Sequence, residues 1–163
     1  MPLATDTLQQ LSKLALAEPA SAAYQQVLLS LALPLTAMSK PTVIGISGAQ
    51  GTGKSTLAAL LATELQYRGI RCASVSLDDY YLPKTGRAAL AEQVHPLLAQ
   101  RGVPGTHDIH KALADAQQVM AGQPVALPVF DKALDDRGPD RHRPLGAGTP
   151  AAPGARSGAG RKW

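Results

Sequence analysis

Two periods of apolar residues alternate along the chain. Residues 3–36 are rich in Leu, Ala and Gln and predict two helices, broken near Glu18-Pro19 and ended by Pro34. The short β-branched run Thr42-Val43-Ile44-Gly45-Ile46-Ser47 predicts a buried strand. Thr56 to Leu65 then returns to helical spacing, with Leu57, Leu60, Leu61 and Leu65 on one face and Gly69 placed to stop it. Arg71 to Leu77 predicts a second strand, which runs into Asp78-Asp79-Tyr80-Tyr81. A helix is expected over residues 87–100. Another is expected over 107–121, with Ile109, Leu113, Ala116 and Met120 in register and Gly122 after it. Val125-Ala126-Leu127 begins a third short strand. Strands that alternate with helices argue for an α/β fold, a parallel sheet covered by helices.

Between the first strand and its helix lies Gly48-Ala49-Gln50-Gly51-Thr52-Gly53-Lys54-Ser55. This satisfies G-x-x-x-x-G-K-[ST] at every fixed position, in the strand–loop–helix context that the motif requires. The residue types reflect what a triphosphate needs. Inward-pointing backbone N–H groups make a nest for the phosphates, and glycines let the backbone approach closely. The helix N-terminus after the loop, at Ser55 and Thr56, adds free N–H groups and a positive dipole end. Lys54 reaches the β- and γ-phosphates, and Ser55 is the expected Mg²⁺ ligand. Gly48 to Thr56 is therefore the expected binding segment for ATP, with Mg²⁺ as its companion.

Composition changes this picture little up to Arg137 and strongly after it. The chain has 163 residues, 45% of them hydrophobic and only 4% aromatic, so Leu, Ala and Val must fill the core. Up to Arg137 there are 11 Lys/Arg and 11 Asp/Glu, so the net charge of +4 belongs to residues 138–163. That excludes basicity of the folded part as an argument for a nucleic-acid partner. Cys72 is the one cysteine, placed as a small core residue in a predicted strand. No run is apolar and long enough to span a membrane, and the N-terminus lacks the basic and apolar regions of a signal peptide. A cytoplasmic protein with no membrane partner is the expectation, and the sequence leaves the oligomeric state unspecified.

Gly138 to Trp163 is nearly all Gly, Ala, Pro and Arg, with Leu145 and Trp163 its only large apolar side chains. Such a stretch has too little apolar surface to offset its ordering entropy. Two readings stand. One is a natural disordered tail. The other is the product of a shifted reading frame in a GC-rich gene, since these residue types have GC-rich codons. The domain reading is a helical extension over 1–40, the first half of a nucleotide-binding domain over 41–137, and this tail over 138–163.

The loop together with Leu77-Asp78-Asp79-Tyr80-Tyr81-Leu82 resembles the P-loop small-molecule kinases of the uridine kinase and phosphoribulokinase type. Val94-His95-Pro96-Leu97-Leu98, Arg101 to Asp108 and Pro128 to Arg137 narrow the resemblance to plant-type D-glycerate 3-kinase and its kinase-like relatives. It runs from about Pro41 to Arg137 and stops at Gly138. It implies a P-loop NTPase-type fold of which the second half is missing, and ATP-dependent phosphorylation of a small-molecule hydroxyl, with D-glycerate as the acceptor. Uridine and pantothenate are the alternative acceptors, and a nucleotide-binding fragment without catalysis is the alternative from another class.

Phosphoryl transfer to an alcohol needs a group to take the hydroxyl proton, and in open α/β sheets such groups sit at the carboxyl ends of strands. The resemblance puts that base at Asp78, beside Lys54 as the second catalytic residue, with Asp79 as the neighbouring alternative. Both carboxylates can instead cap the turn after them. Tyr81 either lines the acceptor pocket or is an ordinary half-buried aromatic. Arg87 and Arg137 have the guanidinium fork that suits a substrate carboxylate, although a solvated arginine is the commoner case. His107 belongs to an active-site wall by resemblance, while Thr106 or Asp108 can simply cap a helix there. Asp131 is a candidate acceptor of a hydroxyl proton. His95, His107 and His110 lack the spacing of a zinc site. Asp135-Asp136-Arg137-Gly138 fits the D-x-x-G of GTPases, but no N-K-x-D comes after it.

Overall fold

The computed structural model describes residues 2–145. The chain divides into two compact units, one running to Ser74 and one beginning at Val75. The helices are α1 (Thr5–Ser12), α2 (Glu18–Thr36), α3 (Lys54–Tyr67), α4 (Lys84–Gln93) and α5 (Ile109–Met120), followed by strands β1 (Val125–Asp131) and β2 (Asp136–Leu145). Short 3-10 turns lie at Leu77–Tyr80 and Pro96–Ala99.

In the first unit α3 carries the expected leucine face. Leu60, Leu61 and Leu65 are buried against Leu11 of α1 and Leu28 and Ala32 of α2, with Leu57, Ile46 and Cys72 packed at the margin. Each such leucine contributes roughly 1.5–3 kcal/mol by leaving water. Glu64 shares this face and is fully buried. Its carboxylate accepts from the Ala4 amide (2.9 Å), the Thr7 hydroxyl (2.8 Å) and Arg68 Nε (2.7 Å). The side chain of α3 thus caps the start of α1, which has no side-chain cap of its own. Gly69 ends α3 as expected. At φ +83° it lets Ile70 N–H reach Leu65 O (2.9 Å) and its own N–H reach Gln66 O (3.0 Å), a Schellman motif. α2 runs two residues past Pro34 and closes on short-range bonds such as Ala37 N–H to Pro34 O (3.1 Å).

In the second unit the helix expected over 87–100 is split. Val94 and His95 leave the helical region ahead of Pro96, whose ring disfavours it in the preceding residue. His95 Nδ1 then accepts from Leu97 N–H (3.2 Å) and starts the 3-10 turn. Asp108 caps α5 by accepting from Lys111 N–H (3.0 Å), and Gly122 closes it with the same motif as Gly69. The apolar stripe of α5 is not buried: Ile109, Leu113 and Met120 are all exposed. β1 is longer than the expected strand and passes through Pro128, with a register shift between Pro128 and Phe130. Val125, Leu127, Pro128 and Phe130 are its buried positions.

The sheet itself departs from expectation. Among the described residues it has two strands, β1 and β2, and they are antiparallel. Thr42–Ser47 and Arg71–Ser76 form no ladder among the described residues. Val43 and Ile44 are about half exposed, at 51% and 46%, where a strand of a covered parallel sheet would be buried on both faces. β2 also takes in residues 138–145, expected to be structureless, because their backbone pairs with β1. The expectation for 146–163 lies outside the described residues.

Candidate active site

The phosphate loop belongs to the first unit. Gly51 and Gly53 adopt φ of +80° and +81°, which L side chains rarely accept. Gly53 is the N-cap of α3, so no side chain occupies the first N–H groups of that helix. A Cβ at Gly53 would also collide with the Tyr24 hydroxyl of α2. Lys54 is folded across the loop, and its ammonium donates to Ala49 O (2.6 Å). Thr52 Oγ1 donates to the same carbonyl (2.8 Å). A Cβ at Gly48 would come 3.2 Å from Thr52 Oγ1 and 3.6 Å from Lys54 Cδ. Gln50 and Ser55 are exposed, and Thr56 is half-buried on the first turn of α3.

The second unit holds an open depression of about 510 Å³ lined by Asp78, Tyr81, Arg101, Gly102 and Lys132. Asp78 and Asp79 lie on the 3-10 turn, and their environments differ sharply. The Asp79 side chain is 10% exposed. It accepts from Ser76 N–H (3.0 Å), Phe130 N–H (3.2 Å) and Arg143 Nη2 (3.3 Å). With Ser76 it forms a capping box. The Asp78 side chain is 41% exposed and pairs with Lys132 Nζ at 2.8 Å. That bond and the carboxylate's charge hold the Lys132 ammonium above its ordinary value, while nearby Arg101 works against it. Tyr81 stacks on His107 with centroids 4.1 Å apart and meets the Phe130 ring edge-on at 5.4 Å. Behind it Tyr80 donates to buried Asp115 (3.1 Å). Burial first, and then Asp115, push its hydroxyl far above the usual tyrosine range.

Both arginines expected to bind a substrate carboxylate are committed to the protein. Arg87 is 1% exposed, and its guanidinium donates to Leu82 O (3.2 Å), Ala99 O (3.0 Å) and Asp135 O (2.6 Å). Arg137 donates to Tyr81 O (2.7 Å), Tyr80 O (3.0 Å) and the Asp108 carboxylate (3.2 Å). Backbone carbonyls left unpaired by an irregular segment take them up, which spacing along the chain does not reveal. Asp131 is likewise engaged: its Oδ1 accepts from Ala133 and Leu134 N–H groups (2.9 and 3.2 Å) and opens the β1–β2 turn. The D-x-x-G segment lies at the same turn. Asp135 has a positive φ of 55° and pairs with Arg87 (3.0 Å) and Arg101 (2.8 Å). Arg101 and Lys132 are the lining cations that sequence reasoning missed. Surface cations are common, and only the fold brings these two together.

Among the described residues no group of three or more His, Cys, Asp or Glu is arranged to hold a metal ion. The donor chemistry still fits Mg²⁺ that arrives with a nucleotide. Ser55 offers a hard hydroxyl oxygen, and phosphate oxygens and water complete such sites. Among the described residues no helix is long and apolar enough to cross a membrane.

The family model for the methylmalonyl-CoA mutase-associated GTPase MeaB matches residues 11–102. An uncharacterised kinase of Schizosaccharomyces pombe, mug58, is 39% identical over 98 residues, covering 58% of this chain and 35% of the kinase. Chloroplastic D-glycerate 3-kinase of Arabidopsis thaliana is 39% identical over 71 residues, covering 42% of this chain and 16% of that protein. The solved structure of the YGR205w protein superposes with a TM-score of 0.63 at 30% identity, over 76% of this chain and 48% of that one. The chain therefore spans about half or less of the length of these relatives. By the family model, which matches more than half of the chain, the chain belongs to the nucleotide-binding family that the MeaB model describes, and its relatives include small-molecule kinases of the uridine, pantothenate and glycerate kinase type.

Proposed function

We propose that the chain binds ATP with Mg²⁺ through Gly48 to Thr56 and serves phosphoryl transfer to a hydroxyl of D-glycerate, in the cytoplasm. The observation that carries this reading is the loop: glycines at positive φ, an uncapped helix start and Lys54 folded across the nest. On binding, Lys54 exchanges its bond to the Ala49 carbonyl for phosphate oxygens. Mg²⁺, held by Ser55 and the phosphates, would neutralise charge on the transferred group. In such a transfer the acceptor oxygen attacks the γ-phosphorus, the bond to the bridging oxygen of ADP breaks and the hydroxyl proton goes to a base, the role assigned here to Asp78. Asp78 is preferred to Asp79 because its carboxylate is exposed, whereas that of Asp79 is tied to two backbone amides. Tyr81 and His107 form an aromatic wall at the depression. D-glycerate is chosen on the similarity to the plant kinase.

A second reading is a nucleotide-binding portion that turns over little by itself. The unladdered segments Thr42–Ser47 and Arg71–Ser76 favour it, because an unfinished sheet holds its active groups loosely. Two measurements test the pair. ATP affinity in the presence of Mg²⁺ is expected to fall roughly tenfold or more in Lys54→Ala, since a charge-assisted contact is lost. Equal affinity would show that the loop is not the site. ADP release is then followed with D-glycerate, uridine and pantothenate, with ATP and with GTP as donor. Slow release with all three supports the second reading. Robust turnover with D-glycerate and ATP supports the first.

A further inference from the structure

The lining of the depression in the second unit carries more positive than negative charge. Asp135 is shared between two guanidiniums, with Arg87 Nη2 at 3.0 Å and Arg101 Nε at 2.8 Å. Lys132 pairs with Asp78 at 2.8 Å. Among the lining residues two cations, Arg101 and Lys132, meet one carboxylate, Asp78, while Asp136 is a further carboxylate that acts on Arg87. Arg87 is buried, so the cations that reach solvent here are Arg101 and Lys132, which both line the depression. Arg101 is also fixed in place, with its guanidinium carbon 5.5 Å from the centre of the Phe130 ring. A planar guanidinium held by an ion pair on one edge and an aromatic face below is well placed to grip a planar anion. Lys132, 67% exposed on its side chain, has a free stem with which to close on it.

We infer that Arg101 and Lys132 bind the carboxylate of an anionic acceptor, and that this pair sets a preference for hydroxy acids over neutral alcohols. The assignment rests on the proposed function, in which the depression receives the acceptor, and it moves carboxylate recognition from Arg87 and Arg137 to two other residues. Asp78, which lines the same depression, is left to face the hydroxyl. A nucleotide phosphate is the other anion that two such cations can hold, and the experiment separates the two.

D-glycerate, glycerol and ATP are titrated separately into the 163-residue chain and into Lys132→Met, Arg101→Gln and Arg101→Lys, with binding read by calorimetry. D-glycerate is expected to bind the unaltered chain about tenfold or more tightly than glycerol, since hydrogen bonds to a charged group are the strong ones. Lys132→Met and Arg101→Gln each lose most of that advantage, Arg101→Lys keeps part of it, and ATP affinity is unchanged. Lys132 is exposed, so its variant stays informative if Arg101→Gln fails to fold. Undetectable D-glycerate binding, equal binding of D-glycerate and glycerol, or Lys132→Met with unchanged D-glycerate affinity overturns the assignment. So does a loss confined to ATP, which would identify the anion as a nucleotide phosphate. Expected binding without phosphoryl transfer leaves the assignment standing and removes the kinase reading. Transfer to uridine without D-glycerate binding does the reverse.

Discussion

Adjacent residues of one type carry different tasks here, and their surroundings decide which. Asp78 and Asp79 are indistinguishable in the sequence. In the fold, Asp79 satisfies two backbone amides and Arg143, whereas the more exposed Asp78 carboxylate pairs with Lys132 at the depression. Asp79→Asn is therefore expected to lower the melting temperature, because a hydrogen-bonded carboxylate is lost from a buried position. Asp78→Asn should leave it unchanged. In a chimera that supplies the rest of the fission yeast kinase, Asp78→Asn should lower turnover about 10²- to 10⁴-fold with little change in ATP affinity. If the turnover loss falls on Asp79→Asn instead, the base is misassigned by one residue. Cys72 makes a separate case. Burial pushes its thiol from 9.0 to about 11, so the native chain holds the proton longer than the unfolded one. Its contribution to stability is full below pH 9 and is lost as pH rises toward 11. Reaction with a disulfide reagent at pH 8 is expected to be slow in the native chain and fast in denaturant. Comparable rates would mean that the thiol is not shielded.

At the scale of elements, α3 does the most. Its first turn ends the phosphate loop, its middle carries the leucine face, and Glu64 ties α1 to it. Replacing Glu64 with Ala removes the carboxylate that the buried Arg68 guanidinium, the Ala4 amide and the Thr7 hydroxyl share. Removing one partner of such a pair typically costs about 3–5 kcal/mol. Chemical denaturation is expected to show a loss of that size for Glu64→Ala, and a loss under about 1 kcal/mol would mean that water reaches the site. The ends of α3 and α5 were legible in the sequence because a Schellman motif is local and needs one glycine. The leucine face was legible because helical period alone defines it. The burial of Glu64 was not, since its partners Ala4 and Thr7 are some sixty positions away. The break after α4 is encoded at Pro96, but the apolar residues on either side of it mask that signal.

Over the whole molecule, apolar surface stays uncovered in both units. Val43 and Ile44 are exposed in the first, and Leu77, Ile109, Leu113 and Met120 in the second. Patches of this kind favour association with other apolar surfaces. The purified chain is expected to bind a hydrophobic dye strongly and to sediment as concentration-dependent oligomers. A monodisperse monomer with weak dye binding would overturn this expectation.

What the sequence determined by itself is what depends on neighbours within one turn. The phosphate loop is the clearest instance, because eight consecutive residues supply its glycines, its lysine and its helix start. The kinase resemblance needed this loop together with Leu77 to Leu82 and further segments as far as Arg137. Only the tertiary structure decided which side chains of the second unit face solvent. Arg87, Arg137 and Asp131 were reasonable candidates by chemistry, yet backbone groups brought close by the β1–β2 turn and the 3-10 turn claim all three. Arg101 and Lys132 carried no signal alone and meet only through folding. A local motif fixes its own geometry through its own dihedrals and hydrogen bonds. A pocket built from residues up to 54 positions apart is fixed by packing and by competition for hydrogen-bond partners, and no short window of sequence contains either.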